Sequence, residues 1–116
     1  MKKKILIVSA NYYKDITKGL ISSALKLIPK TSRVKIIEVP GTFEIPMVIS
    51  RNINKYDAFL ALGCVIKGKT PHFDFISQAS INAIMDLSIT SKKPIGNGII
   101  TCLNMSQAKA RKIKGA

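Results

Sequence analysis

The chain has 116 residues, 47% of them hydrophobic, enough for one domain over residues 1–116 with a single core and no room for a second. Lys and Arg number 19 against 6 Asp and Glu, so the formal net charge is +13, an excess that attracts polyanions without choosing among nucleic acid, membrane surfaces and phosphorylated metabolites. No apolar run is long enough to span a bilayer, and the start "MKKKILIVSANYY" turns polar too soon for a secretory signal, so the expected location is the cytoplasm.

The first element is "KILIVSA", a short apolar run led by β-branched residues and bounded by the polar "NYYKD", which reads as a buried strand. From Ile16 the apolar positions Ile16, Leu20, Ile21, Ala24, Leu25 and Ile28 recur at helical spacing until Pro29 closes the pattern. "VKIIEV" is a second strand, "PGTFE" a turn, and "IPMVISRNINKY" a helix whose Pro46 sits in a first turn, where its missing N–H costs nothing. "DAFLALGCVI" is a third strand. "TPHFDFISQASINAIMDLSIT" follows as a long helix, with Thr70 the candidate N-cap and Pro71 at the first helical position. "PIGNGIIT" is a fourth strand, and "NMSQAKARKIKG" opens a last helix in which Asn104 and Gln107 have N-cap and N3 spacing. Strands alternating with helices imply right-handed crossovers and a parallel sheet covered on both faces, an α/β three-layer sandwich.

In such a sheet the ligand crevice lies beyond the carboxyl ends of the strands, where the strand order reverses. Three loops stand there: Asn11, Tyr12 and Tyr13; "PGTFE"; and "KGKTPH". Together they suit a polar, planar ligand carrying a phosphate. Gly68 lets backbone approach closely, and Lys69, the Thr70 hydroxyl and the N–H groups of a helix start could hold the phosphate; an ordinary loop entering a helix has the same pattern. His72, the one histidine of the chain, falls in the first helical turn, where the positive dipole disfavours imidazolium. It is either a proton acceptor near pH 7 or a structural histidine bonded to a carbonyl. Glu44 either binds hydroxyls of a polyol or caps the following helix, and Tyr12 and Phe43 either stack on a ring or pack.

Cys64 and Cys102 lie far apart in apolar segments, with no CxxC and no His at ligand spacing, so neither zinc nor a disulfide framework is suggested. Both read as small core residues, and a nucleophilic pair of Cys64 with His72 has no spacing in its favour. The basic residues are scattered, with no aromatic residues alternating among them as a stacking platform for single strands, which makes nucleic acid the lesser reading.

The stretches "ILIVSANYYKDIT", "VPGTFEIP", "ALGCVIKGKTPHFDF", "KPIGNGIIT" and "SQAKAR" resemble, in order and separation, the lumazine synthase family of riboflavin biosynthesis. The resemblance covers nearly the whole chain, and "PGTFEIP" together with "GCVIKGKTPHFDF" is its most specific part. It implies a flavodoxin-like strand order and a transferase that joins 5-amino-6-ribitylaminopyrimidinedione to 3,4-dihydroxy-2-butanone 4-phosphate without metal or cofactor. It implies that Tyr12 stacks on the pyrimidine, that Gly41, Thr42 and Phe43 hold the substrate partly through backbone, and that Glu44 binds ribityl hydroxyls. Cys64, Val65 and Ile66 would line the pyrimidine pocket. Gly68, Lys69 and Thr70 would bind the phosphate, Arg111 would reach it from a neighbouring subunit, and His72 would move protons.

Asn97 stands where many family members carry an aromatic residue against the pyrimidine, and Lys69 at a position often small or acidic. The resemblance further implies a homo-oligomer built on pentamers, with sites between subunits. The chain ends at Ala116, soon after Arg111, and begins almost at its first strand; the expectation is a shortened C-terminus, and the resemblance is not extended to a shell of pentamers. The alternatives are a family member that folds and assembles without catalysing, the related archaeal-type riboflavin synthase, and a basic nucleic-acid-binding protein.

Overall fold

In a computed structural model the described residues are 3–67, 73–102 and 104–114. Strands β1 (Lys4–Ala10), β2 (Arg33–Val39), β3 (Ala58–Ile66) and β4 (Ile95–Cys102) form one all-parallel sheet in the order β2-β1-β3-β4. Helices α1 (Lys14–Leu27), α2 (Ile45–Arg51), α3 (Phe73–Ser91) and α4 (Met105–Lys114) connect and flank them, with a 3₁₀ turn at Thr42–Glu44 leading into α2. The architecture is the three-layer α/β sandwich and flavodoxin-like order that the alternation and the resemblance imply.

The inner strands β1 and β3 read as unbroken apolar runs because both of their faces are buried, whereas the edge strand β2 is not covered on both faces as the alternation implied: Arg33, Lys35, Ile36 and Glu38 are exposed. Leu6, Val8 and Ala10 of β1, with Phe59, Ala61 and Val65 of β3, pack under Ile45 and Ile49 of α2 and Ile84 of α3. Their neighbours along the chain turn the other way: Ile7, Leu62, Cys64, Ile66, Ile100 and Cys102 pack under Ile16 and Leu20 of α1 and Ala108 of α4. Both cysteines are therefore buried in the core and outside any disulfide, as their apolar context suggests.

Element ends follow local chemistry. Helix α4 opens with the Gln107 N–H donating to Asn104 Oδ1 at 2.9 Å, one half of the capping box its spacing predicts. The helix expected over 45–56 stops at Arg51. There the Asn52 side chain donates to the Val48 carbonyl at 2.8 Å, while the Asn52 N–H donates to Ile49 O at 3.0 Å, and the chain leaves the helix through turns. The expected N-cap Thr70 and Pro71 lie outside the described residues.

Strand register shapes the carboxyl edge. β1 pairs with β3 only as far as Ser9 and Leu62, whereas β3 pairs with β4 up to Ile66 and Cys102. Beyond Gly63, Cys64–Ile66 thus continue for roughly 10 Å at about 3.3 Å per residue with β4 on one side and no strand on the other. The order reverses at this step between β1 and β3, which makes it the topological switch point of the sheet.

Candidate functional site

Two loops converge on that step. The loop after β1 is tied down where the Asn11 N–H donates to Val39 O at 2.9 Å and the Thr17 hydroxyl reaches back to Ala10 O at 2.6 Å. The loop after β2 lies across the end of β1: a Cβ on Gly63 would stand 3.2 Å from both Ala10 Cβ and Thr42 Oγ1. Glycine at position 63 thus leaves room for the 3₁₀ turn, where a side chain would press on both neighbours. From the far side the buried Ser80 hydroxyl of α3 donates to the Thr42 carbonyl at 3.4 Å. Thr42 itself is buried, so its side chain fixes the loop and what it can offer a ligand is backbone.

The side chains that this anchoring displays are exposed. Tyr12 is 69% exposed and Phe43 62% exposed, against nearly complete burial of the apolar residues of the strands beneath them. Tyr13 holds the Tyr12 ring edge-to-face, with centroids 4.8 Å apart and planes at 86°. Neither ring is packed away within the chain, so both are open to whatever meets this edge.

Glu44 resolves in the same direction. It occupies the N-cap position of α2 but makes no capping hydrogen bond with its side chain. Its carboxylate instead folds back over the loop, with Oε1 3.1 Å from where a Cβ on Gly41 would be. An exposed carboxylate beside a glycine loop is an acceptor for hydroxyl groups.

The remaining candidates divide. Val65 faces α2 and α3, whereas Cys64 and Ile66 face α1 and α4, and all three are buried. The Cys64 and Ile66 side chains belong to the core, so these residues flank the step by their position in β3 rather than by side chains offered to a ligand. Asn97 is not brought to the site by its own chain. It pairs in register with Ala61, five residues short of the end of β3, on the outer strand β4, where its Oδ1 accepts from the Ile99 N–H at 3.0 Å. Gly68, Lys69, Thr70 and His72 lie outside the described residues; Arg111 lies in α4, its side chain outside them as well.

Sequence reasoning missed a hollow of about 230 Å³ beside Tyr12, lined by Asn11, Lys14, Thr17, Lys18, Ile21 and Glu38. Asn11 Nδ2 donates to Glu38 Oε2 at 3.3 Å across its floor. The available signal was positional, since both residues stand at strand ends next to the aromatic pair. Among the described residues no group of three or more His, Cys, Asp or Glu is placed to hold a metal ion, and no helix is long and apolar enough to cross a membrane.

The model of the 6,7-dimethyl-8-ribityllumazine synthase family matches residues 2–116. Curated proteins of that name are similar throughout: the one from Methylobacterium radiotolerans is 43% identical over 93% of this chain and 68% of its own length. The relative from Methylorubrum populi is 41% identical over 93% of this chain and 69% of its own length, and that from Agrobacterium fabrum is 41% identical over 95% and 80%. With the family match spanning the fold and the strand-end loops just described, this chain belongs to the 6,7-dimethyl-8-ribityllumazine synthase family.

Proposed function

We propose that the protein is a cytoplasmic lumazine synthase of riboflavin biosynthesis. It condenses 5-amino-6-ribitylaminopyrimidinedione with 3,4-dihydroxy-2-butanone 4-phosphate to 6,7-dimethyl-8-ribityllumazine, releasing phosphate. One observation carries this reading: at the switch point of the sheet, two exposed aromatic rings flank a glycine loop whose carboxylate has no capping duty.

The chemistry suits these groups. A pyrimidine ring stacks against Tyr12 and Phe43, its polar edge meets the backbone of the Gly41–Phe43 loop, and the ribityl hydroxyls donate to Glu44. The substrate amine attacks the ketone, and loss of water gives an imine. Phosphate is then eliminated, and the second nitrogen closes the ring with loss of another water. Each step moves a proton, which is the role of His72. Departing phosphate gathers negative charge, which Arg111, Lys69, Thr70 and the backbone at Gly68 stabilise. Holding both reactants together supplies much of the remaining acceleration.

The site is shared between subunits of a pentamer-based homo-oligomer. In support, Asn97 is exposed on the outer strand, away from its own chain's loops. The test is turnover: lumazine formation followed by absorbance and fluorescence with both substrates, less the spontaneous condensation. A rate above background is expected. Background rate from a folded, assembled protein would instead make the chain a family member that keeps the architecture without the reaction.

A further inference from the structure

The opposite, amino-terminal edge of the sheet carries a feature that the lumazine synthase reading does not use. A cavity of about 540 Å³ opens there, lined by Lys4, Arg33, Lys35 and Lys55 together with Asn54 and Tyr56. Among the described residues no acid lines it. A second cavity of about 350 Å³ shares Lys4, Asn54, Lys55 and Tyr56 and adds Lys3 and Lys93, so the two form one trough.

The cations are far apart in sequence and are gathered by the fold. Lys4 pairs directly with Arg33 in the β1–β2 register, and Lys35 lies two residues further along the same face of β2. The turn after α2 then places Lys55 over them. That turn is held by Lys93, whose Nζ donates to Ile53 O at 2.5 Å and Tyr56 O at 2.8 Å. Asp57, the acid bordering the second cavity, is engaged by backbone: its Oδ2 accepts from the Lys4 N–H at 2.8 Å. Tyr56 lines both cavities, its ring fixed edge-to-face on Phe59 at 6.1 Å. An aromatic side chain thus stands among the cations after all, placed there by folding rather than by sequence alternation.

Four like charges around one concavity repel one another unless an anion lies between them. A preformed basic groove with an aromatic wall is the combination that binds single-stranded nucleic acid, the phosphates tracking the cations and a base meeting the ring. A trough made of two joined cavities, rather than one closed pocket, fits an extended chain of phosphates better than a single small anion. We propose that this edge binds single-stranded nucleic acid through its backbone, with Lys4, Arg33, Lys35 and Lys55 as phosphate contacts and Tyr56 as the stacking residue.

The experiment is fluorescence anisotropy of the full-length assembled protein with a short labelled oligouridylate across a salt series. With four phosphate contacts, log Kd is expected to rise with log salt at a slope of about 3. The variant with Lys4, Arg33, Lys35 and Lys55 all changed to Gln is compared with a charge-matched one in which the exposed Lys26, Lys30, Lys92 and Lys109 are changed to Gln. The trough variant is expected to bind at least about tenfold more weakly, and the matched variant to stay close to the unmodified protein. Equal loss in both would reduce the effect to net charge and overturn the proposal. So would binding of duplex as tight as single strand, displacement of the oligonucleotide by millimolar inorganic phosphate, or no binding at low salt. Should the fourfold trough variant fail to fold, Lys55→Gln, on an exposed turn, replaces it, and an unchanged Kd there overturns the proposal equally.

Discussion

The two edges of this sheet are built from the same four strands and present opposite chemistry. The carboxyl edge displays two aromatic rings and a carboxylate on loops pinned by Gly63, Thr42 and Ser80. The amino edge displays cations around the larger cavities. The larger hollows thus lie away from the topological switch point of the sheet. What distinguishes the carboxyl edge is topology: strand order reverses there, and β3 outruns β1.

The comparison can be broken most directly at His72. Its replacement by Ala is expected to lower kcat by about a hundredfold or more, the usual contribution of a positioned proton-transfer group, with a modest change in KM. An unchanged kcat in a steady-state assay would remove His72 from its role. Arg111→Ala should raise the KM for the phosphorylated ketone by about tenfold or more, since it removes a charge-assisted contact, while the KM for the pyrimidine stays put. Glu44→Gln is expected to act the other way round, raising the KM for the ribityl substrate by up to about tenfold. Equal effects on both substrates would argue against separate subsites.

Two smaller effects sharpen the structural half of the comparison. Gly63→Val is expected to cost about 1–3 kcal/mol, because its Cβ would already stand 3.2 Å from Ala10 and Thr42 and the further methyls must displace them. A denaturant midpoint equal to that of the unmodified protein would contradict the close approach of the Thr42–Glu44 turn to the sheet. Ser80→Ala removes one long hydrogen bond to the Thr42 carbonyl and should cost about 1 kcal/mol or less in the same measurement.

The inner strands were legible in the sequence because burial on both faces demands short apolar runs, and the edge strands because β-branched residues still recur between polar ones. The carboxyl-edge loops were legible for the same reason, since the end of each run marks the end of a strand. The end of α2 was not, because Ile49 and Ile53 keep helical spacing while Asn52 turns the chain with its side chain. Nor could spacing show that Asn97 lies level with Ala61, away from the loops, because register depends on pairing across the sheet. The basic trough was invisible for the same cause: Lys4 and Arg33 are neighbours only through the β1–β2 register. That the Glu44 side chain makes no capping hydrogen bond at α2 was likewise beyond the reach of spacing.

The central claim is that catalysis belongs to the carboxyl edge and not to the larger cavities opposite. The direct test measures lumazine formation by His72→Ala beside the fourfold variant that removes Lys4, Arg33, Lys35 and Lys55. The account predicts that the first falls toward the spontaneous rate while the second keeps the turnover of the unmodified protein. Loss of turnover in the folded amino-edge variant, with His72→Ala still active, would contradict it.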